Sequence, residues 1–261
     1  MTFAVGGGRV RGAIRPSPVF LGIVALAVAG GVLAWTNGFE PLGRVGMFVL
    51  VIAGWIVSVC LHEFGHAYTA WKAGDRDVEM RGYLTLNPLK YTHPLLSIGM
   101  PLLFIAIGGL ALPGGAVYLR TGGMDAATRR RISLAGPFVN AACAVALLAA
   151  VRAFGSLNHH GAFWTGLAFL AFLQITATIL NLLPIPGFDG YGALEPSLSP
   201  STRHTMQQIE PYGWLIFMAL IFIPTLNHAF FDLIDQVFEL SGISAVWSDI
   251  GNAFMRFWER V

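Results

Sequence analysis

Two histidines and a glutamate stand close together in the run His62-Glu63-Phe64-Gly65-His66. On a helix, residues four apart share a face. His62 and His66 can therefore offer imidazole nitrogens to one metal ion, and His-Glu-x-x-His on a helix is a zinc-binding spacing. Glu63 lies one residue round and can reach a metal-bound water as general base. The five-residue pattern arises by chance in many chains, so its setting matters. Glu63 is the one charge between Val45 and Trp71. An unpaired carboxylate in a membrane helix costs about 2.5–3.5 kcal/mol on insertion scales and usually faces a polar interior that serves function. A structural His/Glu cluster and a proton relay are the blander alternatives.

Two imidazoles leave a tetrahedral catalytic zinc one protein ligand short, with water in the fourth place. A third histidine six residues after His66 is ruled out, because Lys72 stands there. Glu79 and Glu195 are possible carboxylate ligands. Asp189 is the better candidate, in Asn181-Leu182-Leu183-Pro184-Ile185-Pro186-Gly187-Phe188-Asp189-Gly190. Prolines end a helix there and glycines permit a tight turn back. A loop aspartate capping a turn is the competing reading.

The elements that must position these groups are apolar. The chain has 261 residues, of which 11% are charged and 55% belong to the hydrophobic set, with a mean hydropathy of +0.65. Soluble domains carry roughly 25% charge. Disorder, a broad nucleic-acid-binding face and an ordinary cytosolic enzyme are excluded. Cys60 and Cys143 both lie in apolar runs and read as buried small hydrophobes.

A membrane helix needs about 20 mostly apolar residues. Spans are expected near 18–36, 44–72, 129–153, 161–183 and 210–229. A sixth apolar segment, 94–112, is rich in Gly and Pro and, with a full crossing as the alternative, is expected to enter and leave on one side. That arrangement keeps Arg129, Arg130 and Arg131 on the same side as Arg9, Arg11, Arg15, Lys72, Arg76, Arg81 and Lys90, which the positive-inside rule makes cytoplasmic. The first span is expected as a retained anchor, although Ala27-Val28-Ala29 resembles a signal-peptide cleavage site. Alternation at Tyr83–Leu86 suggests a short strand or hairpin, with a second strand at 116–119. The tail, 230–261, reads as one or two interfacial amphipathic helices. The fold class is thus an all-α polytopic membrane protein of five to six transmembrane helices with a small membrane-surface β-hairpin. It forms a single integral membrane domain over 1–261 with its core in 44–200, and no loop is long enough to hold a second domain.

His62–His66 in a span, followed by Asn181-x-x-Pro184 and Asp189-Gly190 at a later span's end, resembles the site-2 protease family of intramembrane zinc metalloproteases. Gly136-Pro137-x-x-Asn140 is similar to that family's Gly-Pro-x-x-Asn stretch. Leu84-Thr85-Leu86-Asn87-Pro88-Leu89 is typical of its compact bacterial members. The resemblance covers roughly 45–200. Two positions depart from the pattern. Phe188 replaces the usual Leu, and His93-Pro94 replaces a common Asp-Pro; His93 reads as an interfacial histidine, with a polar residue near the zinc as the alternative.

The resemblance implies one Zn2+ per chain held by His62, His66 and Asp189, with Glu63 as catalytic acid and base. It implies Asn140 and Asn181 as polar groups near the site that engage substrate, against the alternative of interhelical hydrogen bonding. The implied partners are single-pass transmembrane protein substrates and the lipid bilayer, with no nucleic acid, in a bacterial cell membrane. Rival readings are a prenyl-protein-processing type of membrane zinc protease with a Glu ligand, a proton-coupled transporter using Glu63 and Asp189, and an inactive relative.

Overall fold

The computed structural model describes residues 14–91, 117 and 119–259. The apolar segment 94–112 and His93 lie outside these residues, as does half of the expected 116–119 strand. Every regular element among the described residues is helical.

Four helices are long and apolar enough to cross a membrane: α1 Pro18–Asn37, α2 Pro41–Lys72, α4 Ala126–Phe154 and α5 Gly161–Asn181. Their ends follow local chemistry. Ser17 caps α1, its Oγ accepting the Phe20 amide at 3.1 Å, with Pro18 at the first turn. Gly38, at φ 57, ends α1 in a conformation that a side chain disfavours. Asp125 caps α4, accepting the Thr128 amide at 2.9 Å and its hydroxyl at 2.7 Å. These two bonds hold the Asp125 carboxyl below the usual carboxylate range.

α2 is the central element. Its 32 residues extend about 48 Å at 1.5 Å per residue, longer than the roughly 30 Å hydrocarbon layer. Its start and end therefore have room outside the layer. α1 returns antiparallel along α2, and glycines let the two backbones touch. A Cβ on Gly30 would lie 2.5 Å from the Leu50 nitrogen, and one on Gly46 would lie 2.6 Å from the Ala34 nitrogen. α4 and α5 pack against the other faces of α2. Between α2 and α5, Met47, Val51, Trp55, Leu170 and Leu173 form a buried cluster.

Beyond Lys72 the chain forms the short helix α3, Asp77–Met80, and 310 turns at Tyr83–Thr85 and Pro88–Lys90. The expected strand at 83–86 is corrected by this. Gly82 at φ 75 and Leu86 at φ 56 are both left-handed, so the four residues coil rather than extend. Tyr83 and Leu84 are buried beside Trp71 and Ala70.

After α5 come α6 Asp189–Leu194, α7 Pro200–Ile209, α8 Gly213–Phe222, α9 Pro224–Glu239 and α10 Val246–Met255. The expected span 210–229 is not one helix. Pro224 lacks an amide hydrogen and opens a new helix, so the apolar run divides between ten-residue α8 and α9. α9 buries Phe230, Ile234 and Phe238 against α4 and α5. The tail contributes two helices, but α10 is docked rather than merely interfacial. Gly251 presses directly on the Thr165 carbonyl of α5. Arg44, in the first turn of α2, donates to the carbonyls of Phe254 at 3.2 Å, Arg256 at 3.2 Å and Glu259 at 2.9 Å.

Candidate metal centre

His62, Glu63 and His66 lie in the last third of α2, each less than a tenth exposed. α4 crosses α2 at this level, and the crossing is close because the facing residues are small. A Cβ on Gly65 would lie 3.0 Å from the Ala135 carbonyl and from Val139 Cγ2. Gly136 presents bare backbone to both imidazoles. A Cβ there would lie 2.6 Å from His62 Cε1 and Nε2, and closer still to His66 Nε2. Any side chain at 136 would thus occupy the space the rings need.

The same helix orients His66. Its Nδ1 lies 2.7 Å from the Ile132 carbonyl oxygen. A carbonyl only accepts, so Nδ1 carries the proton and Nε2 is left as a bare lone pair. That Nε2 faces His62 Nε2 at 3.1 Å.

The third group arrives from the end of α5. After Asn181 the chain passes Pro184 and Pro186, turns at Gly187 with φ 96, and starts α6 at Asp189. Gly190 packs against the Leu182 carbonyl, an approach that leaves no room for a side chain. The turn delivers Asp189 to the imidazoles, with Oδ2 at 3.3 Å from His62 Nε2 and Oδ1 at 3.3 Å from His66 Nε2.

His62, His66 and Asp189 offer ligand atoms that all lie within 4.8 Å of one another, a group that could hold a metal ion. The chemistry of the donors fits such an ion. Two ring nitrogens and a carboxylate, one nitrogen being a lone pair fixed by its partner bond, converge on one point. Three protein donors leave a fourth position for water or substrate.

Glu63 is 3% exposed, and the backbone amide of Val117 faces its carboxyl. The alternative acids are engaged elsewhere. Glu79 accepts from Trp71 Nε1 at 3.1 Å, and Glu195 lies 3.9 Å from Arg129. Asn140 sits one turn beyond Gly136, and Asn181 is the last residue of α5. Both are buried, and neither side chain has a hydrogen bond among the described residues.

Several supporting residues escape a sequence reading. Gly136 and the Ile132 carbonyl act through backbone. The Tyr91 hydroxyl donates to the Cys60 carbonyl at 3.2 Å and ties the second 310 turn to α2 just before His62. Burial raises the Tyr91 hydroxyl far above its ordinary pKa, so it stays a donor. Gln174 donates to Ser58 Oγ at 2.7 Å, joining α5 to α2 one turn above His62. Only the Gly-Pro pair inside an apolar helix carries a visible signal, since a glycine there is expensive unless a close approach demands it.

No family model matches the chain, and no solved structure matches it. Curated relatives do. Rip2 of Mycolicibacterium smegmatis, named as a candidate zinc metalloprotease, is 54% identical over 251 residues, covering 95% of this chain and 96% of the relative. Rip2 of Mycobacterium tuberculosis H37Rv, named likewise, is 53% identical over the same shares. YwhC of Bacillus subtilis, also named as a candidate zinc metalloprotease, is 35% identical over 193 residues, covering 71% of this chain and 84% of the relative. With that identity over nearly the full length of both chains, and with His62, His66 and Asp189 gathered at one point, this protein belongs to the site-2 protease family of zinc metalloproteases.

Proposed function

We propose that the chain is an intramembrane zinc metalloendopeptidase that hydrolyses peptide bonds in transmembrane segments of single-pass membrane proteins, as a step of regulated intramembrane proteolysis. The observation that carries this reading is the placement of the donors. The Nε2 atoms of His62 and His66, on a helix long and apolar enough to cross a membrane, meet the Asp189 carboxylate against that helix, with the buried Glu63 beside them.

His62, His66 and Asp189 would hold one zinc ion per chain. Zinc in such a site lowers the pKa of a bound water and polarises the scissile carbonyl. Glu63 takes the proton of the attacking water and passes it to the leaving amide nitrogen. Ile132 keeps His66 in one tautomer throughout. A transmembrane helix satisfies its carbonyls internally, so the substrate unwinds locally before attack. Asn140 and Asn181, buried without side-chain partners among the described residues, would take up the backbone groups that unwinding frees. The whole chain acts as one integral membrane domain.

Charge placement supports a cytoplasmic N-terminus in a bacterial plasma membrane. Lys72 and the Arg129–Arg131 cluster flank the metal-centre end of the bundle, which the positive-inside rule puts at the cytoplasm.

The test is cleavage of a model transmembrane peptide in liposomes by wild type and by Glu63→Gln, with zinc measured on both. Retained zinc and activity lowered by at least about a hundredfold, the scale of general acid–base catalysis, is the expected result. Undiminished cleavage by the variant refutes the mechanism. Absence of zinc from the wild type refutes the metal.

A further inference from the structure

A groove of about 460 Å³ opens between α4, α5 and α9, on a different face of α4 from the metal centre. Ala141, Val145 and Ala149 of α4, Ile175 and Ile179 of α5, and Leu240 after α9 form its apolar wall. Arg152 lies at one end with Ser241. Arg152 is exposed, and its guanidinium has no hydrogen bond or ion pair among the described residues. An unpaired arginine closing an apolar groove is free to take an anion.

The height of Arg152 identifies the kind of anion. It lies in the last turn of α4, two residues before the helix ends. Tryptophans gather at this end of the bundle. Trp35 is near the end of α1, Trp164 is in the first turn of α5, and their rings meet at 5.9 Å. Trp247 of α10 lies against Gly155, just past α4. Tryptophans collect at the lipid headgroup level, so Arg152 sits where lipid phosphates sit.

The dimensions agree. From Arg152 to Ala141, α4 descends about 16 Å at 1.5 Å per residue. That is about half of a roughly 30 Å hydrocarbon layer, the depth of one leaflet.

We infer that this groove is a binding site for an anionic phospholipid, with one acyl chain lying along α4 and α5 and the phosphate on Arg152. The ligand belongs to the leaflet opposite the metal-centre end, and the site does not depend on the catalytic reading.

The test is native mass spectrometry of the full chain in detergent, with phosphatidylglycerol or phosphatidylcholine added. Wild type should retain one phosphatidylglycerol and prefer it about fivefold, the effect of one basic residue near a headgroup. Arg152→Gln should remove the preference, and Val145→Trp should lower retention of both lipids. Equal retention of the two lipids by wild type, or an unchanged pattern in both variants, overturns the proposal. A photo-crosslinker at position 145 gives a second readout in the otherwise native chain. Lipid adducts in liposomes support the site. Capture of a model transmembrane peptide without lipid assigns the groove to a substrate helix and overturns it. Cleavage activity enters none of these outcomes.

Discussion

His66 Nδ1 and the carbonyl oxygen of Ile132 lie 2.7 Å apart, joining a ring on α2 to the backbone of α4. The contact decides which nitrogen of His66 is free, and it depends on α4 approaching closely. Gly136, one turn after Ile132, is what permits that approach.

Gly136→Ala should therefore damage the metal centre without touching a ligand. The added methyl meets both imidazoles, so either the rings turn or α4 retreats and the Ile132 bond lengthens. Loss of a bond that orients a metal-binding histidine typically costs ten- to a hundredfold in metal affinity. Zinc competition against a chelator should show a weakening of about that size.

The third ligand can be identified by parallel substitutions. Asp189→Ala should abolish stoichiometric zinc. Glu195→Ala and Glu79→Ala should keep it, because those acids face Arg129 and Trp71. Metal analysis of the three purified variants reads this directly. Zinc lost only with Glu195 replaced would transfer the role to that residue.

Gln174 offers a test of buried polarity. Its Nε2 donates to Ser58, but its Oε1 is buried without a partner among the described residues. Interhelical hydrogen bonds in membrane proteins average about 0.6 kcal/mol, and an unsatisfied buried acceptor costs about 1–3 kcal/mol. Gln174→Met, similar in volume, should thus be neutral or stabilising in thermal unfolding. Gln174→Ala should destabilise through the cavity it leaves.

A pH effect is expected at the tail. Burial raises the Asp235 carboxyl, and Asp249, Glu239 and Asp232 add to the shift; burial alone raises Asp249. An acid whose folded pKa is raised favours folding in its protonated form. Its contribution is present below the unfolded pKa and is lost as pH rises through the raised value. Asp249→Asn should accordingly raise the melting temperature at neutral pH, with the gain vanishing below about pH 4, the ordinary aspartate range. A gain that persists or grows in acid would contradict this.

The four long helices were legible in the residues because hydropathy sums over some twenty positions, and their ends match the expected spans to within about three residues. His62, Glu63 and His66 were legible for a different reason: the helical period places them from local sequence alone. Asp189 was legible through the prolines and glycines that make its turn. What was not legible depends on contacts between distant segments or on short stretches. Four residues at 83–86 alternate like a strand, yet the backbone conformations of Gly82 and Leu86 decide the matter. The run 210–229 is apolar enough for a span, but hydropathy averages over Pro224. Gly136 and Ile132 act through bare backbone on rings seventy residues away in the chain, and composition does not register such a role.

The contact between Gly30 and Gly46 bears on how a substrate could enter. α1 and α2 meet there backbone to backbone, with no side-chain layer that could slide or repack. Parting them would give up close contacts over several turns and put nothing comparable in their place. The two helices therefore behave as one wall, and under the proposed function a transmembrane substrate would have to enter along some other seam of the bundle.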